Sequence, residues 1–366
     1  MADNKNQHYV PRVYLKPFTL DGEGLAINLF NIDRMKPVRH APVKNQCSGD
    51  YFYGKDERLE KAINTVENAY GEVVRDLMKE DAIVGAKVQI VIQRFVYLQH
   101  LRTEAASRKA AEMTAAMHDV PGSDIPIPDI RDAMKTAIQI AMLQFADSMG
   151  IVDDLKVCIV RNHTDRPFVT SDDPAVLTNR LHIQRRPQAL RSFGVKTAGA
   201  VFFLPLSPRL HAIAYDSAVY QTGQRAGWIE AKRVADVDAI NEHQTLNCMA
   251  NLYFRDWDRR DELAQQVADH HDLRPEQRHT VVHAALDSTT EWGSRYVVKE
   301  VKDIREEEEV LVHISANHPA PSGWPSFLHF RPDAKAYSNN TGAGLTRRRC
   351  LEQGYVAGRN YKRVRV

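Results

Sequence analysis

Apolar residues recur with two different periods along this chain, and the change of period divides it. Over residues 56–79, Leu59, Ile63, Val66, Tyr70, Val73, Val74 and Leu77 fall three and four apart, the spacing of one buried helix face. A second helix is expected over 82–117, from Val88, Val91, Ile92, Phe95, Val96, Leu98 and Leu101. A third is expected over 129–149, ending at Gly150. Pro121, Gly122, Pro126 and Pro128 separate the last two, because proline and glycine interrupt helical backbone.

The middle of the chain changes to short β-branched and aromatic runs. Residues 156–160, 168–169, 200–204 and 211–215 read as strands joined by turns. A helix over 230–248 and a strand over 251–254 follow. At the N-terminus, residues 9–18 read as an extended piece that turns at Asp21-Gly22-Glu23-Gly24 into a strand over 25–30, forming a hairpin. The fold class expected is α+β: long helices packed on a small antiparallel sheet. From 259 the composition shifts. Helical residues to 285 precede two strands, over 295–301 and 310–314, and then a stretch punctuated by Pro319, Pro321, Gly323, Pro325 and Pro332. The expected division is a main domain over 1–258 and a smaller C-terminal α/β appendage over 259–366.

Composition narrows the class. The 366 residues are 43% hydrophobic and 26% charged, with a mean hydropathy of -0.44, which is ordinary for a globular chain. No apolar run approaches the ~20 residues that span a bilayer, and Met1 to Gln7 lack the apolar core of a signal peptide. A cytoplasmic location is the expectation. Cys47, Cys158, Cys248 and Cys350 lie far apart, without the spacing of a zinc site or redox pair. The net charge of +2 hides a basic tail: residues 345–366 carry seven basic side chains against one acid, Glu352. Such a tail suits phosphate.

Two polar signatures stand in apolar surroundings. One is Asn6-Gln7-His8-Tyr9-Val10-Pro11, the other Thr170-Ser171-Asp172-Asp173-Pro174. Polar groups there must be paired or they cost stability, which makes them site candidates. With Tyr14-Leu15-Lys16-Pro17-Phe18, Gln99-His100-Leu101-Arg102-Thr103 and Phe203-Leu204-Pro205-Leu206-Ser207-Pro208, they run in an order that resembles the bacterial proteins grouped as domain of unknown function 4238. The resemblance covers roughly residues 6–257. It implies the fold and the choice of candidate residues more than an activity. The family commonly has Asn where this chain has Asp173.

The candidate chemistry follows from residue type. His8 is a base or ligand near neutral pH. Asp172 is a candidate metal ligand, or the group that orients His8; otherwise the block is an Asx turn. Gln99 and Arg102 share a helix face, where the guanidinium suits phosphate, and Glu67 is a second metal ligand or the partner of Arg102. Ser171 and the tail residues Arg347, Arg348 and Arg349 complete a substrate-binding set. Two functions are expected in competition. One is a metal-assisted phosphodiester hydrolase, nuclease-like, with catalytic His8, Asp172 and Arg102 and a divalent Mg or Mn on Glu67 and Asp172. The other is a non-enzymatic sensor or small-anion-binding module in a bacterial defence or stress system. Nucleic acid or a small phosphate ligand is the expected partner. With no P-loop, Gly-x-Gly-x-x-Gly or Gly-x-Ser-x-Gly motif, no nucleotide cofactor is expected. His270-His271 and the pair His279 and His283 are read as a solvated helix face.

Overall fold

The computed structural model describes residues 6–54, 57–118, 129–185, 193–291, 293–340 and 344–366. Its helices are α1 (Arg12–Leu15), α2 (Glu57–Leu77), α3 (Ala86–Arg102), α4 (Glu104–His118), α5 (Ile130–Ser148), α6 (Arg180–Arg185), α7 (Val234–Asn247), α8 (Arg260–Asp269) and α9 (Arg348–Glu352). The main sheet strands are β2 (Ala26–Asn31), β3 (Lys36–Pro42), β5 (Leu155–Asn162), β6 (Thr170–Ser171), β7 (Val176–Thr178), β8 (Val201–Ser207), β9 (Leu210–Asp216), β11 (Trp228–Ala231) and β12 (Asn251–Phe254). Short pairs involve β1 (Asn6–His8), β4 (Ser48–Asp50) and β10 (Tyr220–Thr222). The later strands are β13 (His279–Thr290), β14 (Gly293–Lys299), β15 (Val310–Ala316), β16 (Leu328–Phe330), β17 (Lys335–Ser338) and β18 (Lys362–Arg365).

The class is α+β. A five-stranded sheet runs β11-β5-β9-β8-β7, and a four-stranded one β3-β2-β12-β6. Pairing among these strands is antiparallel except between β11 and β5. The strands β8 and β9 are buried along their whole length, which explains their continuous apolar runs in place of alternation. Helix α3 packs across the core with Val88, Ile92, Phe95 and Val96 inward. Phe95 stacks on Tyr70 of α2 at 3.7 Å between ring centroids, with Tyr14 beside it at 5.9 Å. Gly71 lets α1 lie close against α2, since a Cβ there would meet Val13 at 2.7 Å.

Three expectations are corrected. The helix expected over 82–117 is two helices broken at Thr103, whose extended backbone ends α3 and whose hydroxyl accepts from the Ala106 amide at the start of α4. That is the N-cap arrangement. Residues 9–18 form α1 and a 3-10 turn over Lys16–Phe18, because Pro17 sits in a first-turn position that needs no N–H; β2 pairs with β3 instead of with this segment. Residues 279–285 are strand, not helix: β13 is the centre of a three-stranded sheet with β14 and β15. The proline-rich interruption expected at 121–128 lies outside the described residues.

The chain after 258 packs on the main domain at several points. Leu328, Ala336 and Leu345 belong to the same apolar cluster as Phe203, Ile213 and Val237, and β16 pairs with β10. Helix α7 accounts for much of this. It is covered on nearly every side, with Asp236, Asn241, Glu242, His243 and Gln244 all buried. Asp236 accepts from the amide and hydroxyl of Ser326, and Glu242 from those of Ser322. Buried carboxylates need such partners, and the later chain supplies them. Among the described residues, no helix is long and apolar enough to cross a membrane.

Four histidines are held neutral, His211 and His243 fully buried and His100 and His318 half-buried. Burial lowers His100 to about 4, and His211, His243 and His318 to about 3. Between those values and an unfolded value near 6.5, the unfolded chain binds more protons, so stability falls as pH falls. Each such histidine contributes up to about 1.4 kcal/mol per pH unit. Asp173, raised to about 6 by burial, opposes them in part. Urea unfolding at pH 7 and pH 5 is expected to show a loss on the order of 5 kcal/mol on acidification; equal stability at the two pH values would contradict these protonation states.

Candidate functional site

The C-terminal turn of α3 divides the polar blocks into two groups. Gln99 and Arg102 face the N-terminal block, while His100 and Thr103 face the block that begins at Thr170. On the first side the Gln99 amide donates to the Tyr9 carbonyl at 2.8 Å and accepts from Arg102 Nε at 2.9 Å. Arg102 is fully buried, and its Nη1 donates to Glu67 Oε1 at 2.6 Å. Gln7 closes the group, accepting from the Tyr53 amide at 2.7 Å. His8 lies next to it in a cavity of about 170 Å³ shared with Glu67, Arg12 and Asn64. Burial and then Arg12 lower its pKa, Glu67 and backbone carbonyls acting in the other direction. Its Nε2 has no partner among the described residues.

On the second side every polar group of the block is engaged. Thr170 bonds the Tyr14 hydroxyl at 2.7 Å, and Ser171 donates to Gln244 Oε1 at 2.8 Å. Asp173 accepts from Thr103 at 2.9 Å. Asp172 accepts three backbone amides, Met249 and Ala250 at 2.8 Å and Asn251 at 2.9 Å. Burial raises its pKa and these three amides pull it back. A carboxylate so occupied has little left for a metal ion. Glu67 shares a cavity with His8 and pairs with Arg102, so these three are brought together, while Asp172 is taken up by the amides past α7. Glu67 and Asp172 do not fit a shared divalent-metal site, and no metal step is derived through them. Among the described residues, no three His, Cys, Asp or Glu side chains group as a metal site elsewhere.

The tail arginines are also accounted for. Arg347 is buried and pairs with Asp154, donating as well to the carbonyls of Ile151 and Val195. These bonds fasten the chain end. Arg349 reaches Asp153 at 3.0 Å, and Arg348 pairs with Glu352 at 2.7 Å on the surface.

The cationic surface lies elsewhere. A groove of about 960 Å³ is lined by Lys16, Arg75, Lys79, Arg161, Arg209, Arg255 and Arg259, against three carboxylates, Glu80, Asp165 and Asp256. Arg259 pairs with Asp165 and Asp256, both at 3.6 Å, and Arg161 lies 4.1 Å over the Trp228 ring. Arg209 and Arg255 donate to the carbonyls of Thr164 and Leu20. No carboxylate among the described residues pairs with Lys16, Arg75, Arg209 or Arg255. Sequence reading missed this groove because its cations come from five distant segments, and of those cations only Lys16 lies within a quoted motif.

An α+β chain whose polar blocks knit α3 to the N-terminus and to α7 is what the geometry defines. The model of the family DUF4238, described as a protein of unknown function, matches residues 6–258, and the chain belongs to that family. No curated protein and no solved structure matches it significantly.

Removing one partner of a buried ion pair leaves the other charge uncompensated. Glu67→Ala is therefore expected to lower stability by roughly 3–5 kcal/mol, and the double variant Glu67→Leu, Arg102→Met to recover most of it. Urea unfolding of both decides: a Glu67→Ala protein as stable as wild type would rule out the pairing.

Proposed function

We propose that this protein is a binding module for a small phosphate-bearing anion, held in the groove between Lys16, Arg75, Arg209 and Arg255. The observation that carries this is the excess of cations in a ligand-sized concavity, four of them without a carboxylate partner among the described residues. Its volume of about 960 Å³ lies at the upper end of the roughly 300–1,000 Å³ of small-molecule sites. No aromatic side chain among the described residues lines it, whereas single-stranded nucleic acid is usually held on stacking rings. A small phosphate ligand therefore suits the groove better than a polymer. The metal-assisted hydrolase drew on His8, Glu67, Arg102 and Asp172 acting as one centre; Glu67 engages Arg102 and Asp172 engages three amides, which favours binding without turnover.

Calorimetric titration with inorganic pyrophosphate tests this. Wild type is expected to bind, with affinity falling as salt is raised from 50 to 200 mM by screening of the groove's charge. Arg75→Glu and Arg209→Glu are each expected to weaken binding about tenfold, the effect of roughly 1.4 kcal/mol. Pyrophosphate binding unchanged in the double variant would overturn the assignment. Tighter, steeply salt-dependent binding of a single-stranded oligonucleotide would make the ligand a polymer.

A further inference from the structure

A second concavity, of about 720 Å³, lies where α4 and α5 meet the block at Asp173 and the chain after 258. Its lining is of two kinds. Ala106, Ala110 and Met113 of α4 with Ile140 and Ala141 of α5 are apolar. Ile140 is 59% exposed, a large apolar side chain left uncovered at the wall of the cavity. Lys109, Asp173, Arg278, His100 and His318 are polar, with Asp173 and Arg278 acting on Lys109 and Lys109 acting on both histidines.

These five are not equivalent. The Arg278 guanidinium donates to the carbonyls of Asn247 and Cys248 at the end of α7. His100 and His318 face the carbonyls of Ala175 and Phe193, and both rings are neutral at pH 7. Asp173 is held by Thr103. Lys109 alone of the five has no hydrogen bond or ion pair among the described residues, although burial lowers its pKa and so disfavours its charge. Two further carboxylates line the wall: Glu112 reaches His279 at 3.8 Å and Glu276 is exposed.

We propose that this cavity binds a small amphiphilic carboxylate, its apolar body along α4 and α5 and its carboxylate on the Lys109 ammonium. Such a ligand supplies the direct partner that the half-buried lysine lacks, Asp173 acting on it without an ion pair, and covers the apolar wall. Arg278, fixed by the α7 carbonyls, adds positive potential beside Lys109. Asp173 sets the limit: its negative form repels a ligand carboxylate, while its protonated form can donate to one.

Octanoate is the probe, titrated calorimetrically into the full chain at pH 7.5, with 1-octanol and octylamine as controls. Octanoate is expected to bind more tightly than either. Lys109→Met, which keeps the side-chain length without the charge, is expected to weaken octanoate at least tenfold and leave octanol unchanged. Asp173→Asn, which keeps an acceptor for Thr103, is expected to tighten octanoate. Pyrophosphate binding to the basic groove should be unaffected in both variants, which separates this site from that one. No octanoate binding to folded wild-type protein, octylamine binding tighter than octanoate, or indifference to Lys109→Met would each overturn the proposal.

Discussion

The carboxylate of Asp172 is the constraint on which the centre of this fold depends. It takes the amides of residues 249, 250 and 251 just past the end of α7, where the chain must leave a helix and enter β12. Those donors are among the most costly to bury unpaired. From the opposite direction Arg274 and Arg278 donate to the Cys248 carbonyl at the helix terminus, where positive charge also meets the negative end of the helix dipole. One connection is thus clasped by an anion on its N–H groups and cations on its carbonyls.

That clasp explains why the family's polar blocks are buried. Asn241 and Gln244 of α7 bond the backbone of residues 167, 169 and 174. Thr170 reaches back to Tyr14 and Asp173 to Thr103. The blocks selected as a candidate catalytic set each hold one element to another. The family match ends at 258, yet Arg274, Arg278, Ser322, Ser326 and Arg347 complete bonds that begin inside it. These joints position two surfaces, the groove beside α1 and α2 and the cavity between α4, α5 and the later chain, where we propose that ligand is met.

Much of the fold was legible, and the failures have physical causes. The helices over 57–77 and 130–148 follow from period because each buries one face, and strand 251–254 from its run of apolar and aromatic residues, three of them buried in succession. The break at Thr103 was hidden because apolar periodicity continues across it and only a hydroxyl cap marks the boundary. Residues 279–285 misled because positions four apart share a face in strands as well as helices. His8, Arg102, Glu67 and Gln99 were selected as polar residues in apolar settings and do lie together. Asp172 was selected on the same ground, and the sequence carries no sign that its acceptors would meet amides 77 to 79 residues away. The arginines of the tail look free in one dimension; the carboxylates of Asp153 and Asp154 that meet Arg349 and Arg347 are nearly two hundred residues distant.

The central claim, that the buried polar blocks are joints and ligand is met at the surface, is tested most directly by amide hydrogen exchange with and without pyrophosphate. The account predicts that Met249, Ala250 and Asn251 exchange only with global unfolding in either condition. Added protection is predicted in the segments that line the groove, around Lys16, Arg75, Arg161, Arg209 and Arg255. Fast exchange at residues 249–251, or pyrophosphate protection centred on residues 170–173, would contradict it.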